Sequence, residues 1–274
     1  MVATMLMSNF LKNRRSVREF KDRQVKGQVL DKLLEIFKSI EEEASGKSFN
    51  FILFKDGRNV YKLLEGEAGY AGVMIKSPHY IGVRLKEVTE PAIIEASYYT
   101  EKLMGKLTEL NFGSCWVNVK YADKGLKAAA LGGENKNIGY LVAFGYPKAK
   151  NPFLDEPVSA RYSIEEIVFK EEFGNKISLQ ELEDRGLDDL FYYIRFAPSN
   201  YNKQPWRFIL KKDRVQLLLE VDEGRTDLMD AGIIMYYFEE MAKTIGLRNK
   251  WKLVDKEVIQ HEGKEYRLIG EYSI

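Results

Sequence analysis

Two polar turns contain the residues with the clearest capacity for chemistry, and the first is the basic sequence RRSVREF at residues 14–20. Three guanidinium groups and one hydroxyl fall within five positions of this turn. Arginine side chains match phosphate oxygens in a bidentate manner, so the turn is suited to holding a phosphate group. The alternative is a charged turn that only faces water, which is the more common role of a short arginine-rich sequence.

The second polar turn is APSNYNKQPW at residues 197–206, where proline, serine and asparagine lead into a predicted strand. It offers amide and hydroxyl groups without net acidic charge, a combination suited to the polar edge of a planar heterocycle. The alternative is a helix-to-strand turn whose residues only satisfy the backbone. A third segment, NFGSCWVN at residues 111–118, leads from a helix end into a strand, and its alternative role is core packing of Trp116 beside Cys115.

Composition excludes several classes of protein. The 274 residues are 45% apolar and 30% charged, which is typical of a globular chain with one large domain or two ordinary ones. Lys+Arg (42) and Asp+Glu (41) nearly cancel, so no basic surface for nucleic acid or an anionic membrane is expected. No apolar run approaches the roughly 20 residues that cross a bilayer. Residues 1–10 are interpreted as the start of a helix rather than a signal peptide.

Histidine and cysteine are too few for the commoner metal and disulfide chemistry. The single cysteine, Cys115, excludes an intramolecular disulfide and fits a reducing cytoplasm. The two histidines, His79 and His261, have no close His or Cys partner in the sequence, so we expect no zinc or non-haem iron site. A magnesium site made only of carboxylates stays open, since 41 acidic residues are available.

Hydrophobic periodicity and turn residues predict the helices and strands that must position these turns. The predicted helices cover residues 5–20, 29–40, 59–64, 91–110, 122–131, 187–196 and 227–245. The predicted strands cover residues 48–55, 80–85, 114–119, 138–144, 206–211, 251–254 and 265–272. The best candidate for a linker is the proline-bearing segment at residues 145–162.

The two parts of the chain resemble each other, and we favour internal duplication over a chance likeness of helix–strand units. The strand sequence SFNFILFK matches PWRFILKK at an offset of 157 residues. The long helices also match, with Glu95 opposite Asp230 at an offset of 135. The second copy therefore lacks 22 residues, which the alignment assigns to the loop and strand around residues 69–83. Because dimers are usually two-fold symmetric, two fused copies predict a pseudo-dimer within one chain.

Taken together, the three segments RRSVREF, APSNYNKQPW and NFGSCWVN resemble segments of the FMN-dependent nitroreductase family. RRSVREF resembles the family's N-terminal phosphate turn, and APSNYNKQPWRFIL resembles its flavin-edge turn and following strand. NFGSCWVN and LGGENKNIGYLVAFGYPK resemble its later flavin loop and closing strand. The resemblance covers most of the chain and implies an α+β, nitroreductase-like fold, in which each half is a small antiparallel-rich sheet wrapped by helices. Residues 1–165 would form the first half and residues 166–274 the shortened second half.

The distribution of the motifs differs from that of single-copy family members, which form homodimers with each FMN between two subunits. RRSVREF occurs only in the first half, where EASGKSFNF stands in place of the family's PSxxNxQPW. The second half has PSNYNKQPW but no RRS. Each half thus keeps a complementary part of one site. The chain resembles a fused, pseudo-dimeric branch of the family, which implies one FMN site per chain.

The cofactor-binding residues implied by the resemblance fall into four groups. The basic turn would hold the phosphate and the pyrimidine side of FMN, a strand backbone would face the ring near N5, two further cations would contact the phosphate, and the second-half turn would reach the flavin from the other side. In that order the residues are Arg14, Arg15, Ser16 and Arg18; Trp116, Val117 and Asn118; Lys148 and Arg161; and Pro198, Ser199, Asn200 and Asn202. No residue is assigned a catalytic role, and no metal is expected.

The activity implied by the resemblance is hydride transfer from NAD(P)H through flavin N5 to a small acceptor such as a nitroaromatic or a quinone. We expect a cytoplasmic enzyme that is a monomer or a weak homodimer, with no nucleic-acid or membrane partner. Two alternatives stay open. One is a non-catalytic protein that binds or sequesters flavin, and the other is a structural protein of the same fold that binds no flavin.

Overall fold

The computed structural model describes residues 6–70, 72–149, 159–254 and 257–274. The described residues divide into two compact units, each with its own sheet. The N-terminal unit comprises residues 15–149, and the C-terminal unit comprises residues 6–14 together with residues 159–274. These units are defined by contacts, whereas the halves 1–165 and 166–274 are defined by the repeat, so the division into halves stays a prediction.

Nine α-helices and eleven β-strands occur within the described residues. The helices are α1 (Met7–Asn13), α2 (Gly27–Glu43), α3 (Gly57–Leu64), α4 (Glu90–Glu109), α5 (Lys124–Leu131), α6 (Ile164–Ile167), α7 (Leu179–Asp184), α8 (Asp188–Ile194) and α9 (Leu228–Thr244). The strands are β1 (Phe49–Phe54), β2 (His79–Leu85), β3 (Gly113–Asn118), β4 (Tyr140–Gly145), β5 (Val168–Lys170), β6 (Trp206–Leu210), β7 (Arg214–Asp222), β8 (Arg225–Thr226), β9 (Lys252–Leu253), β10 (Val258–His261) and β11 (Lys264–Ser273). In the described part of the chain, no helix has both the length and the apolar character needed to cross a membrane.

A four-stranded antiparallel sheet in the order β1-β2-β4-β3 forms the centre of the N-terminal unit. Successive side chains of a strand point to opposite faces, so β4 sends Val142 and Phe144 to one face and Leu141 and Ala143 to the other. Helices α2 and α4 cover the first face, and helices α3 and α5 cover the second. The unit therefore has three layers, and β3 lies at one edge of its sheet.

Local sequence explains why these helices form where they do. In α2 the buried side chains are Leu30, Leu33, Phe37 and Ile40, which share one face at helical spacing. Helix α4 begins where the Thr89 hydroxyl accepts a hydrogen bond from the backbone of the first turn, and a proline occupies that turn. Both helices begin and end close to the predicted limits, because periodicity and caps are local signals.

The C-terminal unit has a larger sheet in the order β10-β11-β7-β6-β5, with β8 and β9 paired at its margins. Strand β5 is parallel to β6, whereas β6, β7, β10 and β11 pair antiparallel. Aromatic packing joins helices to the sheet: the ring centroid of Phe208 lies 5.5 Å from that of Phe191 on α8 and 5.9 Å from that of Phe238 on α9. Helix α1 packs on α8 and α9, with Phe10 and Tyr237 at 6.1 Å.

The predicted helix over residues 5–20 is wrong beyond Asn13, where α1 ends. Residues 14–19 have no helical structure, because their backbone bonds to strands far along the chain. The Val17 N–H donates to the Ser114 carbonyl at 3.0 Å, and the Lys21 N–H donates to the Tyr146 carbonyl at 2.8 Å. Residue 5 of this prediction, and residues 150–158 of the predicted linker, lie outside the described residues.

Strand β7 is absent from the sequence prediction although it lies in the middle of its sheet. Leu217, Leu218 and Leu219 are all buried, so the strand lacks the alternation that marks a half-exposed strand. Residues 211–213 join β6 to β7, whereas β1 and β2 are joined through residues 55–78, which include α3. The assignment of the missing 22 residues to a loop and strand is therefore wrong: the C-terminal unit has the strand and lacks a helix between the two strands.

A buried histidine ties three segments of the N-terminal unit together. His79 is 1% exposed, its Nε2 accepts the Val25 N–H at 3.0 Å, and its Nδ1 lies 2.8 Å from the Lys55 carbonyl oxygen. A neutral imidazole with its proton on Nδ1 satisfies both partners. Burial lowers the pKa of His79, and the hydrogen bond to Lys55 opposes that shift only in part. The charged form is therefore disfavoured in the folded protein.

This burial predicts a loss of stability in mild acid. Below its ordinary pKa of about 6.5, the unfolded histidine takes up a proton that the folded protein does not bind. The free energy of unfolding should then fall as the pH is lowered from 7 to 5, by at most about 1.4 kcal/mol per pH unit. Urea unfolding at several pH values measures this, and His79→Gln should flatten the slope. An equal slope in His79→Gln and the wild type contradicts the prediction.

Candidate functional site

The basic turn and Lys148 lie together in the N-terminal unit. Besides the bond from Val17 to Ser114 on β3, the Lys148 N–H donates to the Glu19 carbonyl at 3.1 Å, just beyond the end of β4. Residues 17–21 thus bond to the start of β3 and to the residues just after β4. The structure brings together in this unit Arg15, Ser16 and Arg18 of the basic turn and Lys148 from beyond β4.

Two apolar residues anchor the basic turn while its cations face outward. Phe20 is 6% exposed and belongs to the core beneath α3 and α5, and Val17 packs against the same core. Gly113, the first residue of β3, makes room for Val17: a Cβ at this glycine would lie 2.7 Å from the Val17 side chain. Arg15 and Arg18 are exposed and Ser16 is half-buried. The absence of a side chain at Gly113 therefore lets the turn approach β3.

The segment Trp116–Asn118 presents its backbone rather than its side chains. The Trp116 indole donates to a Glu101 carboxylate oxygen at 2.7 Å, and Val117 is 1% exposed. Both N–H and C=O of a strand residue point to the same side. Ser114 accepts from Val17, and Asn118 accepts the Gly69 N–H at 2.7 Å, so both face away from β4. Trp116 lies midway between them, so its peptide groups face the same outer edge.

Polar side chains of the second turn hold its own shape in the C-terminal unit. The Ser199 hydroxyl accepts the Gln204 N–H at 2.8 Å, and the Asn200 N–H donates to the Asp230 carboxylate at 3.1 Å. The Asn202 side-chain amide donates to the Ala160 carbonyl at 3.0 Å. Pro198 is half-buried just beyond the end of α8. The hydrogen bond to Ala160 places the turn next to Arg161.

The same turn carries an unusual density of left-handed backbone. Tyr201, Asn202 and Gln204 have φ values of 53°, 56° and 50°. Residues other than glycine rarely adopt this region, at a cost of order 1–3 kcal/mol each, and such strain concentrates at functional sites. The hydrogen bonds to Ala160 and Asp230 stabilise this conformation. The backbone of the turn is therefore rigidly displayed.

Two guanidinium groups lie near each other in the C-terminal unit. Burial lowers the pKa of Arg161, and the positive charge of Arg14 lowers it further. Arg161 donates long hydrogen bonds to Phe196 (3.4 Å) and Ala160 (3.5 Å), and its buried Nε has no hydrogen-bond partner among the described residues. An anion would stabilise this arrangement, because Arg161 is a half-buried cation beside a second cation and its Nε–H can donate a further hydrogen bond.

Sequence reasoning missed the residues that support these turns. Asp230 is 2% exposed, and Asp227 caps α9 and also accepts from the Asn200 side chain at 3.3 Å. The repeat alignment paired Asp230 with Glu95, and Glu95 makes the matching contact in the N-terminal unit. Its carboxylate accepts the Gly46 N–H at 2.7 Å in the loop before β1, as Asp230 accepts from the loop before β6. The alignment therefore contained the signal for Asp230.

Comparison with known proteins identifies the family. The sequence matches the family described as "Putative TM nitroreductase" over residues 7–242. The match spans most of the 274 residues, so the chain belongs to this nitroreductase family, and the membership supports an oxidoreductase. No curated protein matches the sequence.

Solved structures agree on the fold. The crystal structure of a "putative nitroreductase" from Thermotoga maritima is 20% identical, has a TM-score of 0.58, and aligns over 97% of this chain and 94% of its own. An FMN-dependent nitroreductase from Clostridium difficile is 25% identical over 54% of this chain and 91% of its own, with a TM-score of 0.42. A nitroreductase with bound FMN from Bacteroides fragilis is 20% identical over 57% and 96%, with a TM-score of 0.45. The family match and the Thermotoga maritima structure confirm the resemblance to nitroreductases in fold, inferred from the motifs.

The contact between Gly113 and Val17 predicts how the basic turn responds to a single methyl group. Gly113→Ala places a Cβ 2.7 Å from the Val17 side chain, so the turn or the strand must shift. We expect a loss of about 1–3 kcal/mol in the free energy of unfolding, measured in urea. Gly133→Ala is the matched control, because a Cβ there meets nothing within 4 Å.

The double variant Gly113→Ala/Val17→Ala separates the contact from other effects of the glycine. Removing the Val17 methyl groups should restore part of the stability, which a double-mutant cycle measures as a coupling energy. Additive effects would show that the clash is not the cause.

Proposed function

We propose that this protein is an FMN-dependent oxidoreductase that moves hydride from NAD(P)H to a small acceptor such as a nitroaromatic or a quinone. The observation that carries the proposal is the pair of guanidinium groups of Arg14 and Arg161. The Nε of Arg161 is buried and has no hydrogen-bond partner among the described residues, and with a second positive charge beside it this guanidinium fits the phosphate of FMN. Family membership and the FMN-bound relative support the same cofactor.

Each group of residues would have a separate task in holding FMN. Arg14 and Arg161 would bind the phosphate through charge-assisted hydrogen bonds, with Arg15, Ser16 and Lys148 as further contacts in the proposal. The outward peptide groups of Trp116 and Asn118 would align with the ring, because a strand edge offers donors and acceptors at fixed spacing, whereas the peptide groups of Val117 between them face β4. The turn with Pro198, Ser199, Asn200 and Asn202 would supply a rigid polar edge.

The chemistry that FMN supplies when bound is hydride acceptance at N5 and delivery to the acceptor. The residues of this chain would bind and orient the reactants, and Arg18 would add positive charge at the pyrimidine side. No side chain is assigned as acid or base. Cys115, the single cysteine, is buried, which fits the proposed location in a reducing cytoplasm.

The proposal includes a fused pseudo-dimer with one FMN site per chain. Both units place their main antiparallel strands in the same order, β1-β2-β4-β3 and β6-β7-β11-β10, which supports duplication. The matching contacts of Glu95 and Asp230 support it further. The loop before β1 spans only residues 44–48, whereas the loop before β6 spans residues 195–205. The shorter loop leaves no room for a second copy of the PSNYNKQ turn.

The assignment of Arg161 predicts a selective loss of FMN over riboflavin. Arg161→Ala should weaken FMN binding to the apoprotein at least tenfold, since charged hydrogen bonds contribute about 1.5–3 kcal/mol. Riboflavin, which has no phosphate, should bind both proteins alike. Flavin fluorescence titration measures both affinities. The control variant is Arg185→Ala, which removes an exposed arginine whose side chain donates to the Lys211 and Lys212 carbonyls. Equal losses for the two flavins would contradict a phosphate contact.

The same titration tests the single site, with one FMN per chain expected and two contradicting it. Steady-state oxidation of NADH and NADPH with a quinone or a nitroaromatic then tests the reaction. An oxidoreductase turns over many times per flavin. A protein that binds FMN but does not turn over would instead be a flavin carrier, and a colourless protein that binds no FMN would exclude both.

A further inference from the structure

A polar pocket lies within the N-terminal unit, where four segments of that unit meet. It has a volume of about 230 Å³ and is formed by residues 18–22, the start of α3, the residues before β2 and the residues after β4. Five cations line it, namely Arg18, Lys21, Arg58, Lys76 and Lys148, together with the two acids Glu19 and Asp22. The whole chain has a net charge of only +1, so this excess of positive charge is local.

Only one of the five cations is neutralised by a carboxylate. Arg58 bonds to Asp22 at 2.7 Å, and this contact lowers the pKa of Asp22. Lys76 also lowers that pKa, but less, and its ammonium lies 5.9 Å from the centre of the Tyr61 ring. Among the described residues, Arg18, Lys21, Lys76 and Lys148 form no ion pair. Their charges converge on one cavity and leave its potential positive.

The floor of the pocket is rigid. Ser77 is 3% exposed, and its hydroxyl donates to the Phe144 carbonyl at 2.9 Å. The Gly57 N–H donates to the Pro78 carbonyl at 3.0 Å, and a Cβ at Gly57 would lie 2.4 Å from the backbone carbonyl oxygen of Ser77. The close approach of α3 to this segment therefore requires glycine. The long cationic side chains stand on a fixed base, which reduces the reorganisation needed to bind an anion.

We propose that this pocket binds a phosphate monoester or free phosphate, at a subsite in which Lys21, Arg58 and Lys76 join Arg18 and Lys148, the two cations that it shares with the proposed flavin contacts. Ammonium groups act as compact charges for phosphate, and several of them around one cavity favour a multiply charged anion. The cavity, with a volume near 230 Å³, has room for a phosphate group. Two sources share this chemistry, the 2′-phosphate of NADPH and free inorganic phosphate.

Calorimetric titration of the full chain tests the subsite with three probes: adenosine 2′,5′-bisphosphate, adenosine 5′-phosphate and inorganic phosphate. The variant Lys21→Ala/Lys76→Ala removes two exposed cations to which no flavin contact is assigned. It should weaken the binding of the phosphate source at least tenfold, because each charged contact contributes separately. Lys38→Ala is the control, since Lys38 is an exposed lysine on α2 outside the pocket. Binding should also weaken with added salt.

The probes and one kinetic measurement distinguish the two sources. A 2′-phosphate site predicts tight binding of the bisphosphate alone, and a KM for NADPH that rises in the double variant while the KM for NADH does not. This arm rests on the proposed function. A free-phosphate site predicts binding of inorganic phosphate with both KM values unchanged.

The proposal is overturned if no probe binds the wild type, or if the double variant binds as the wild type and Lys38→Ala do. Thermal unfolding checks that the double variant is folded. Flavin content is measured in the same samples. Because phosphate binding is read without turnover, a protein that binds phosphate but lacks FMN would disprove the proposed function and leave the subsite standing.

Discussion

The polar turn at residues 197–206 depends on one interaction. It is the hydrogen bond that the buried Asp230 carboxylate, in the first turn of α9, accepts from the turn. Removing a carboxylate from water is costly unless hydrogen bonds replace the lost solvation, and the Asn200 N–H supplies one such bond to Asp230. The first turn of α9 also favours negative charge through the helix dipole. The turn is thereby drawn onto the helix, and three of its residues take left-handed backbone that isolated chains avoid. Ser199 and Asn202 then close the turn, which places it beside Arg161.

The charges of the protein are unevenly distributed although their sum is small. In the C-terminal unit the Arg14 and Arg161 pair lies where burial strengthens repulsion between cations. In the N-terminal unit several cations surround a rigid cavity and only Arg58 has a carboxylate partner. Folding has to overcome this repulsion, which the anions proposed above would relieve. Composition hides them, because distant acids balance the total.

The two units show how one topology accommodates different loops. In each unit a helix carboxylate reaches the loop before a strand, and the strand order is the same. The loop before β6 is long enough to form a polar turn, whereas the loop before β1 is a short connection to Glu95. Conversely, α3 lengthens only the N-terminal unit and helps to form the cationic pocket. The two units therefore differ in their connections, whereas their main antiparallel strands have the same order.

Elements whose signals are local can be predicted from the sequence. The limits of α4 and α9, strands β1 and β2, and the polar turn before β6 follow from periodicity, caps and turn residues, and the motifs also indicated the family. Tertiary contacts set the conformation of residues 14–20, because the backbone partners of Val17 and Glu19, namely Ser114 and Lys148, lie 97 and 129 positions further along the chain. The same holds for β7, a strand buried on both faces, and for the pocket that gathers Lys21, Lys76 and Lys148 from separate segments. Long-range hydrogen bonds and converging charges leave no periodic trace in a sequence, so packing alone determines them.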